Sequence, residues 1–372
     1  MLTVHINRSA EFKADTDRAD KARAILQRKI DEAQSSTATI LNRIATEAPR
    51  DRIAPVSTIR FTTADNRLKL TAGDETENIH RHAIQQAASR GSVNIPSRFI
   101  DDLMATDDWS RDLLAHNLNE TLAHTKGRFL LRSVNNEVRG ILSDRFRRLD
   151  TAPVVEAMIT EAGKRDAVVL SAHDLATKWR LRLLLPDLFE PVPGEVVAYG
   201  ISFGNSDYGD GALHMSAFLL RVWCMNGAVA DDVFRQVHVG GRLADDIAFS
   251  ERTYRLDTMT TVSAVRDFTR TVLDAEKVTA YMAAIRDAAG EELDAKKAIA
   301  TLRSKNLVTT TEAEAVSTNF NSADIVELPA GQNRWRLSNA ISLLGRNRLK
   351  DGEERRGIEL QELAGRVLSK AA

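Results

Sequence analysis

The sequence predicts an α+β protein with a central antiparallel β-meander, flanking helices and a helical C-terminal region. Three strands with β-rich or alternating apolar and polar residues are predicted over 177–185, 195–203 and 212–223. The loops between them contain the prolines and glycines that are typical of turns. From about residue 244 the apolar residues recur at helical spacing. These observations together predict a β-β-β-α core.

The N-terminal part is predicted to begin with a charged helix over 15–48, because apolar residues recur at roughly helical spacing until Pro49. We expect this helix to pack on its own domain, with a contact between subunits as the alternative. Short strands are predicted over 57–62 and 67–70, and a hairpin with strands over 130–134 and 138–142. Helices are predicted over 78–90, 97–105 and 109–124.

After the meander, a turn at Asn226-Gly227 is predicted to lead into helical segments. Apolar stripes predict helices from 244 to 305, short helices and turns from 302 to 344, and an amphipathic tail helix over 353–370. The predicted domains are an N-terminal helical arm (1–55), an α+β core with the antiparallel sheet (56–240) and a mostly helical C-terminal region (241–372).

The charge balance excludes the class of proteins that bind nucleic acid nonspecifically through a basic surface over the whole chain. The 372 residues include 51 Lys and Arg against 52 Asp and Glu, a formal net charge of −1, so any nucleic-acid site must be a local patch. The one cysteine, Cys224, excludes an internal disulfide and is predicted to be a buried structural thiol. We expect a cytoplasmic protein with no membrane partner, because no apolar run of signal-peptide or membrane-spanning length occurs.

Motifs for catalysis and cofactor binding are missing, so we predict no enzyme activity, no cofactor and no metal. The nearest match to an ATP-binding loop, at Gly163-Lys164, has Met158 where its first glycine belongs. His80 and His82 are two apart on a predicted helix and point to different faces. One alternative stays open, a metal-dependent enzyme acting on nucleic acid. Its candidate ligands are Asp207, Asp210, Asp231 and Asp232.

Positive charge is the clearest local signal. Lys178, Arg180 and Arg182 alternate with apolar residues in the first meander strand, so their side chains share one face. Residues two apart on a strand are about 6.6 Å apart, which is close to the phosphate spacing of an extended single strand. We therefore predict a solvent-facing track for a phosphate backbone, with an ordinary solvated sheet face as the alternative.

A second group of cations lies in 126–150, where seven basic and three acidic residues give a local net charge of +4. We expect its arginines to line the same groove as the strand cations. The arginines assigned to this groove are Arg128, Arg132, Arg139, Arg145, Arg147 and Arg148. The C-terminal stretch 334–370 also has a local net charge of +4, and we expect its Trp335 to be buried.

Several segments resemble blocks of the domain-of-unknown-function family 932. They are 82–88 with 95–96, 139–147, 200–213, 220–227 and 333–340, and they follow one another in the family's order. The resemblance spans roughly 56–366 and implies a protein of bacteria, phages, prophages or plasmids. Asp207 stands where the family usually has Glu, and Phe146 where it usually has Tyr.

A meander followed by a helix, without an ATP-binding loop, also resembles the phage single-strand annealing proteins of the RecT, Red-beta and Erf types. This resemblance implies assembly into rings or filaments along DNA. We predict binding and ATP-independent annealing of single-stranded DNA in phage or mobile-element recombination, by a homo-oligomer in the cytoplasm of a bacterial host. The alternatives are a structural or interaction protein of the element and the metal-dependent enzyme named above.

Overall fold

The computed structural model describes residues 12–14, 16–236, 250–322 and 328–370. These residues form helices and two mostly antiparallel sheets, and the chain after the second sheet is helical. The predicted α+β class with a helical C-terminal region is therefore confirmed. Within the described residues, no helix is long and apolar enough to cross a bilayer.

The first sheet contains the strands β1 (Arg50–Pro55), β2 (Ile59–Ala64), β3 (Arg67–Ala72), β4 (Glu75–Ile79), β5 (Arg128–Val134) and β6 (Glu137–Ser143). Their order is β1-β5-β6-β4-β3-β2, and β4 and β6 pair in parallel while the other neighbours are antiparallel. The helices that contribute apolar residues to its core are α2 (Arg81–Arg90), α3 (Ser97–Ala105) and α4 (Asp108–Ala123). Sequence analysis did not predict β1 and β4, because both strands are short and rich in charged or polar residues.

The second sheet contains β7 (Val168–Asp174), β8 (Trp179–Val192), β9 (Glu195–Asn205), β10 (Leu213–Arg221) and β11 (Asn226–Gln236). Each strand pairs antiparallel with the next one along the chain, and β8 to β10 are the predicted meander. The prediction that helical segments begin after Asn226-Gly227 is wrong. A tight turn over 222–225 returns the chain against β10 as a further strand, whose alternation is interrupted by Asp231-Asp232.

The remaining helices are α1 (Thr16–Thr46), α5 (Thr151–Gly163), α6 (Glu251–Val272), α7 (Ala275–Gly290), α8 (Ala295–Ser304), α9 (Thr310–Asn321), α10 (Arg334–Lys350) and α11 (Glu354–Ser369). Apolar residues of α5 to α11 and of the second sheet form one large cluster, so this core runs across the predicted boundary at residue 240. Trp335 is buried in that cluster, as expected. Cys224 is also buried, and Arg221 donates to its sulfur at 3.2 Å.

Helix α1 packs on the second sheet of its own chain, which confirms the preferred interpretation of this segment. Its buried Ala19, Ala22 and Leu26 lie in a cluster with Leu184 of β8 and Phe218 of β10. The two faces of the second sheet are therefore covered by different helices. Helix α1 is part of the folded body of the protein rather than a separate arm.

The loop after β9 joins the second sheet to helix α5. Asp207 Oδ1 accepts a hydrogen bond from the backbone N–H of Thr151 at 2.8 Å and another from its hydroxyl at 2.7 Å. Asn205 donates to the carbonyl oxygen of Leu149 at 3.3 Å. These hydrogen bonds connect the loop to residues 56 positions earlier in the chain. The local contacts come from Ser206, whose hydroxyl accepts from two backbone N–H groups within the loop.

A substitution at Gly209 tests how tightly this loop is packed. The φ of Gly209 is +76°, and an added Cβ would lie 2.5 Å from a methyl carbon of Leu142. Gly73 also has a positive φ, of +62°, but an added Cβ there would have no neighbour within 4 Å. We expect Gly209→Ala to lower the free energy of unfolding by roughly 2–4 kcal/mol, and Gly73→Ala by only about 1 kcal/mol, in urea titrations. Equal losses in the two variants would contradict the packing of the loop.

Candidate anion-binding cleft

The three strand cations share one face of β8, as their spacing of two predicts. Lys178 directly precedes the strand, and Arg180 and Arg182 lie within it, while the residues between them are buried in the large core. The prediction that the cationic face is open to solvent is wrong. Lys178, Arg180 and Arg182 are half-buried, and Arg182 donates a hydrogen bond to Gln361 of α11. Gln361 brings α11 against the inner end of this face.

Arg182 lies at the inner end of this face. Its guanidinium carbon is 4.6 Å from the centroid of the Phe218 ring, a cation–π contact. Burial, and after it the charge of Arg180, lower the pKa of Arg182 to about 10. A close carboxylate would act in the opposite direction. Glu362 raises this pKa but does not compensate for the burial of Arg182.

Arg180 is held by a neutral partner. Its Nη1 lies 2.5 Å from Nε2 of His214, and because a guanidinium only donates, the ring nitrogen that accepts carries no proton. Nε of Arg180 is buried and has no hydrogen-bond partner among the described residues. Burial lowers the pKa of Arg180, although Glu362 and Asp210 oppose the shift. The Arg180 guanidinium is thus incompletely satisfied.

Gly204 of β9 makes the position of Arg180 possible. A Cβ at residue 204 would lie 1.6 Å from Nη1 of Arg180 and 2.4 Å from a ring carbon of His214. The glycine-rich loop was predicted to need turn conformations, and Gly209 and Gly211 do have positive φ values. Gly204 serves a different purpose, because its missing side chain leaves the space that the guanidinium occupies.

A cleft of about 640 Å³ opens between this end of β8 and the first half of α11, and we call it the β8–α11 cleft. Its lining residues are Leu175, Lys178, Arg180, Asp210, Gly352, Glu353, Arg355, Arg356, Ile358, Glu359 and Glu362. Lys178 forms an ion pair with Asp210 at 3.0 Å, and Arg356 forms one with Glu359 at 2.9 Å. The volume is typical of sites for small ligands.

The first turn of α11 forms one wall of this cleft. No side chain caps this turn, and the carboxylate of Glu353 at the N-cap position is instead paired with Arg348 at 2.6 Å. The amide groups at a helix N-terminus and the helix dipole both favour a bound anion. The cleft as a whole is lined by four basic and four acidic side chains, so its formal charge is balanced.

A second, inner cavity of about 20 Å³ shares Leu175, Arg180, Ile358 and Glu362 with the cleft. This volume is about the size of one water molecule. His173 and Ser202 line the inner cavity together with Arg182 and His214. Burial, and after it the charge of Arg182, lower the pKa of His173 to about 4. The inner end therefore contains uncharged imidazole at neutral pH and is too narrow for a ligand to pass through.

The arginines of 126–150 lie elsewhere, so the predicted groove shared with β8 is wrong. None of them is among the residues that line the β8–α11 cleft. Most form ion pairs, namely Arg128 with Asp144, Arg139 with Glu47 and Glu137, Arg147 with Asp257, and Arg148 with Asp51. Arg145 is half-buried, and its backbone N–H binds the Ser143 hydroxyl.

Arg132 is the most deeply buried of these arginines, with 1% of its surface exposed. Its guanidinium donates to Asp51 at 2.7 Å, to Asp150 at 2.6 Å and to the carbonyl oxygen of Asp207 at 2.7 Å. Burial by itself would lower the pKa of Arg132, but Asp150 and Asp51 outweigh it and raise that pKa. Arg132 is therefore a structural cation and is not accessible to a nucleic acid.

The acidic residues considered for a metal do not converge among the described residues. Asp207 is buried, and burial raises its pKa to about 6 against the opposing charge of Arg132. Asp210 is paired with Lys178, and the side chains of Asp231 and Asp232 lie outside the described part of the structure. No group of three or more His, Cys, Asp or Glu side chains that could hold a metal occurs in the described part.

Comparison with known proteins adds nothing to this geometry, because no family model, curated protein or solved structure matches the chain. The resemblances to family 932 and to the annealing proteins therefore stay predictions. Sequence analysis missed His214, Gly204 and Glu362 as parts of the site. Arg355 and Arg356 lay inside the basic C-terminal stretch, but nothing in the sequence indicated that they face β8.

Replacing Arg132 tests whether this buried arginine contributes more to stability than an exposed one. We expect Arg132→Gln to lower the free energy of unfolding by about 3–5 kcal/mol, because it leaves two carboxylates and a buried carbonyl oxygen without their donor. The matched variant Arg128→Gln removes a 49% exposed side chain from a 3.3 Å ion pair, and should cost less than about 1 kcal/mol. Chemical denaturation measures both values, and a mild effect of Arg132→Gln would contradict its structural role.

The depressed pKa of His173 predicts a loss of stability in acid. Between about pH 6.5 and 4 the unfolded chain binds a proton at His173 that the folded chain does not, so stability falls as the pH falls. His173→Gln should reduce this loss by roughly 2–3 kcal/mol, measured as the free energy of unfolding at several pH values. His116→Gln, at an exposed position of α4, is the control and should keep the original profile.

Proposed function

We propose that this protein binds single-stranded nucleic acid through its phosphates, at the β8–α11 cleft, and promotes annealing without ATP. The observation that supports this most is that Lys178 and Arg180 share one face of β8 and both line the cleft, where carboxylates of Asp210 and Glu362 compete with a bound phosphate. The guanidinium pKa values of Arg180 and Arg182 are lowered by burial, and Nε of Arg180 lacks a partner within the described residues. A phosphate group is the anion that guanidinium groups bind best, through paired hydrogen bonds.

The size of the cleft favours a single strand over a duplex. A volume of about 640 Å³ accepts a ligand of small-molecule size, whereas a duplex is wider than its ~12 Å major groove alone. A strand bound by its phosphates keeps its bases outside the protein, where a complementary strand can pair with them. Annealing of this kind requires positioning of the strand and no catalytic group.

Coverage of a long strand requires many copies of the protein, because one cleft contacts only a few nucleotides. We therefore propose a homo-oligomer, as a ring or a filament, that acts in the cytoplasm of a bacterial host carrying a phage or mobile element. The strand β8 and helix α11 that hold the ligand are packed elements, so neighbouring subunits would present the same rigid contact.

A second candidate function is that of an interaction protein, and exposed apolar side chains on the first sheet's helices favour it. Trp109 is 62% exposed and Leu113 is 38% exposed, and their spacing of four places them on one face of α4. Phe99 of α3 is 42% exposed. Large apolar side chains that remain in water are typical of surfaces that contact other proteins.

A salt titration of oligonucleotide binding tests the proposed function. Fluorescence anisotropy with a labelled single strand should give a linear plot of log affinity against log salt, because each phosphate contact releases about 0.7 of a counterion. The double variant Lys178→Gln, Arg180→Gln removes two cleft cations and should flatten that slope by about one unit. A duplex of the same sequence should bind more weakly.

Arg303→Gln is the matched control, since it removes an exposed arginine of α8 away from the cleft and should leave the slope unchanged. Thermal melting establishes that all variants are folded. Light scattering of the same mixtures should detect an oligomer. No binding at low salt, or an unchanged slope in the double variant, would argue against the proposal.

A further inference from the structure

Helix α4 carries exposed acidic and apolar side chains on the side that faces away from the first sheet. Its other side is buried in the core of that sheet. Trp109 and Leu113 lie on the outer side, at 62% and 38% exposure. The α4 stripe, as we call it, consists of these two residues and three exposed polar ones at helical spacing, Asp112, His116 and Glu120. Neither acid of the stripe forms an ion pair among the described residues, so the stripe keeps their negative charge.

Helix α6 carries a stripe of the opposite charge. Its inner side packs into the large core of the second sheet. Leu256 and Met259 lie on the outer side, at 50% and 58% exposure. The α6 stripe consists of these two residues and five exposed polar ones, Arg252, Arg255, Ser263, Arg266 and Arg270. Arg270 pairs with Asp267 and Glu161, but the other three arginines form no ion pair in the part of the chain that the structure describes.

The two stripes complement each other in apolar content and in charge. Each contains one pair of large apolar side chains that lie about one helical turn apart. In the α4 stripe, Glu120 lies about three turns after Trp109. In the α6 stripe, Arg266 lies about three turns after Leu256. Two helices packed in parallel, with their apolar pairs opposite each other, therefore place this carboxylate beside this guanidinium.

We propose that the α4 stripe of one copy of this chain binds the α6 stripe of a second copy. This inference rests on the proposed homo-oligomer and specifies its contact. Because the two surfaces differ, the contact is heterologous, and further copies add until a ring closes or a filament grows. Helices α4 and α6 belong to different cores, so one copy can use both stripes at once.

A second copy accounts for both stripes, whereas other partners account for one. The phosphates of a nucleic acid would pair with the arginines of the α6 stripe, but they would leave Leu256 and Met259 in water and would be repelled by the acids of the α4 stripe. A basic, apolar peptide from another protein would suit the α4 stripe alone. The complementary charges of the two stripes therefore favour contact between copies.

Light scattering of the full chain without nucleic acid, over a series of protein concentrations, tests the contact. We expect a mass above that of the monomer that rises with concentration and falls with salt, because the interface is small and partly charged. Trp109→Ser and Met259→Ser should each weaken association at least about tenfold, as loss of a central apolar anchor does. Val168→Ser, at a 45% exposed valine of β7, is the control and should leave the mass unchanged. Thermal melting establishes that the variants are folded.

Mixing the two weakened variants identifies which surfaces meet. Trp109→Ser keeps an intact α6 stripe, and Met259→Ser keeps an intact α4 stripe. An equal mixture should therefore form a dimer with one copy of each variant and no larger species. A mixture that stays monomeric at concentrations where the wild type assembles would overturn the pairing of α4 with α6.

Charge reversal tests the predicted register. Glu120→Arg and Arg266→Glu should each weaken association, because each places two like charges opposite one another. The double variant Glu120→Arg, Arg266→Glu should recover most of it, since the pair is restored with its signs exchanged. No recovery would contradict the parallel alignment of the two helices.

Oligonucleotide anisotropy separates this inference from the proposed function, because no residue of either stripe lines the β8–α11 cleft. A wild type that is monomeric at all concentrations, or an oligomer that neither serine variant weakens, overturns the interface, and strand binding then decides the proposed function alone. An oligomer that needs both stripes but binds no strand keeps the interface, and the proposed function fails. If Met259→Ser weakens strand binding without changing the mass, the α6 stripe contacts nucleic acid and the interface is wrong.

Discussion

The buried Arg132 guanidinium is the interaction on which the rest of the structure depends. From β5 it reaches Asp51 of β1, Asp150 before α5, and the carbonyl oxygen of Asp207 after β9. A charge removed from water is stable only when carboxylates and acceptors surround it. This contact consequently fixes the first sheet, helix α5 and the loop after β9 relative to one another. Their apolar residues form separate clusters, so this charged contact is a main link between the two sheets.

The same loop fixes the start of β8, and with it the floor of the β8–α11 cleft. Asp207 accepts from the indole nitrogen of Trp179 at 3.3 Å, and Asp210 accepts from Thr177 at 2.8 Å and pairs with Lys178. The floor is therefore held by hydrogen bonds that do not involve a ligand. The wall comes from α11, which is anchored on α10 by a bond from the Ser338 hydroxyl to the carbonyl oxygen of Ala364 at 2.8 Å. A site assembled in this way needs little reorganisation to bind.

The buried Arg132 and the half-buried Arg180 and Arg182 differ in their surroundings, and this difference separates their roles. Arg132 has carboxylates on two sides, and its pKa is raised despite burial. Arg180 and Arg182 have a histidine, an aromatic ring and an amide as their close partners, and their pKa values are lowered. Shifts caused by burial without a matching counter-charge are typical of functional sites. This contrast is the physical reason for proposing a ligand at β8 and not at the basic stretch 126–150.

The sequence by itself determined the α+β class, the meander, most helices and the shared face of Lys178, Arg180 and Arg182, because local periodicity fixes which side chains point together. It could not reveal that α11 lies against the inner end of this face, since Arg182 and Gln361 meet across 179 residues. Nor could it distinguish Arg132 from an exposed arginine, because the acceptors that surround Arg132 come from three separate segments. Only the tertiary structure decided which charges are buried, paired or left short of a partner, because burial depends on the elements that pack over a face.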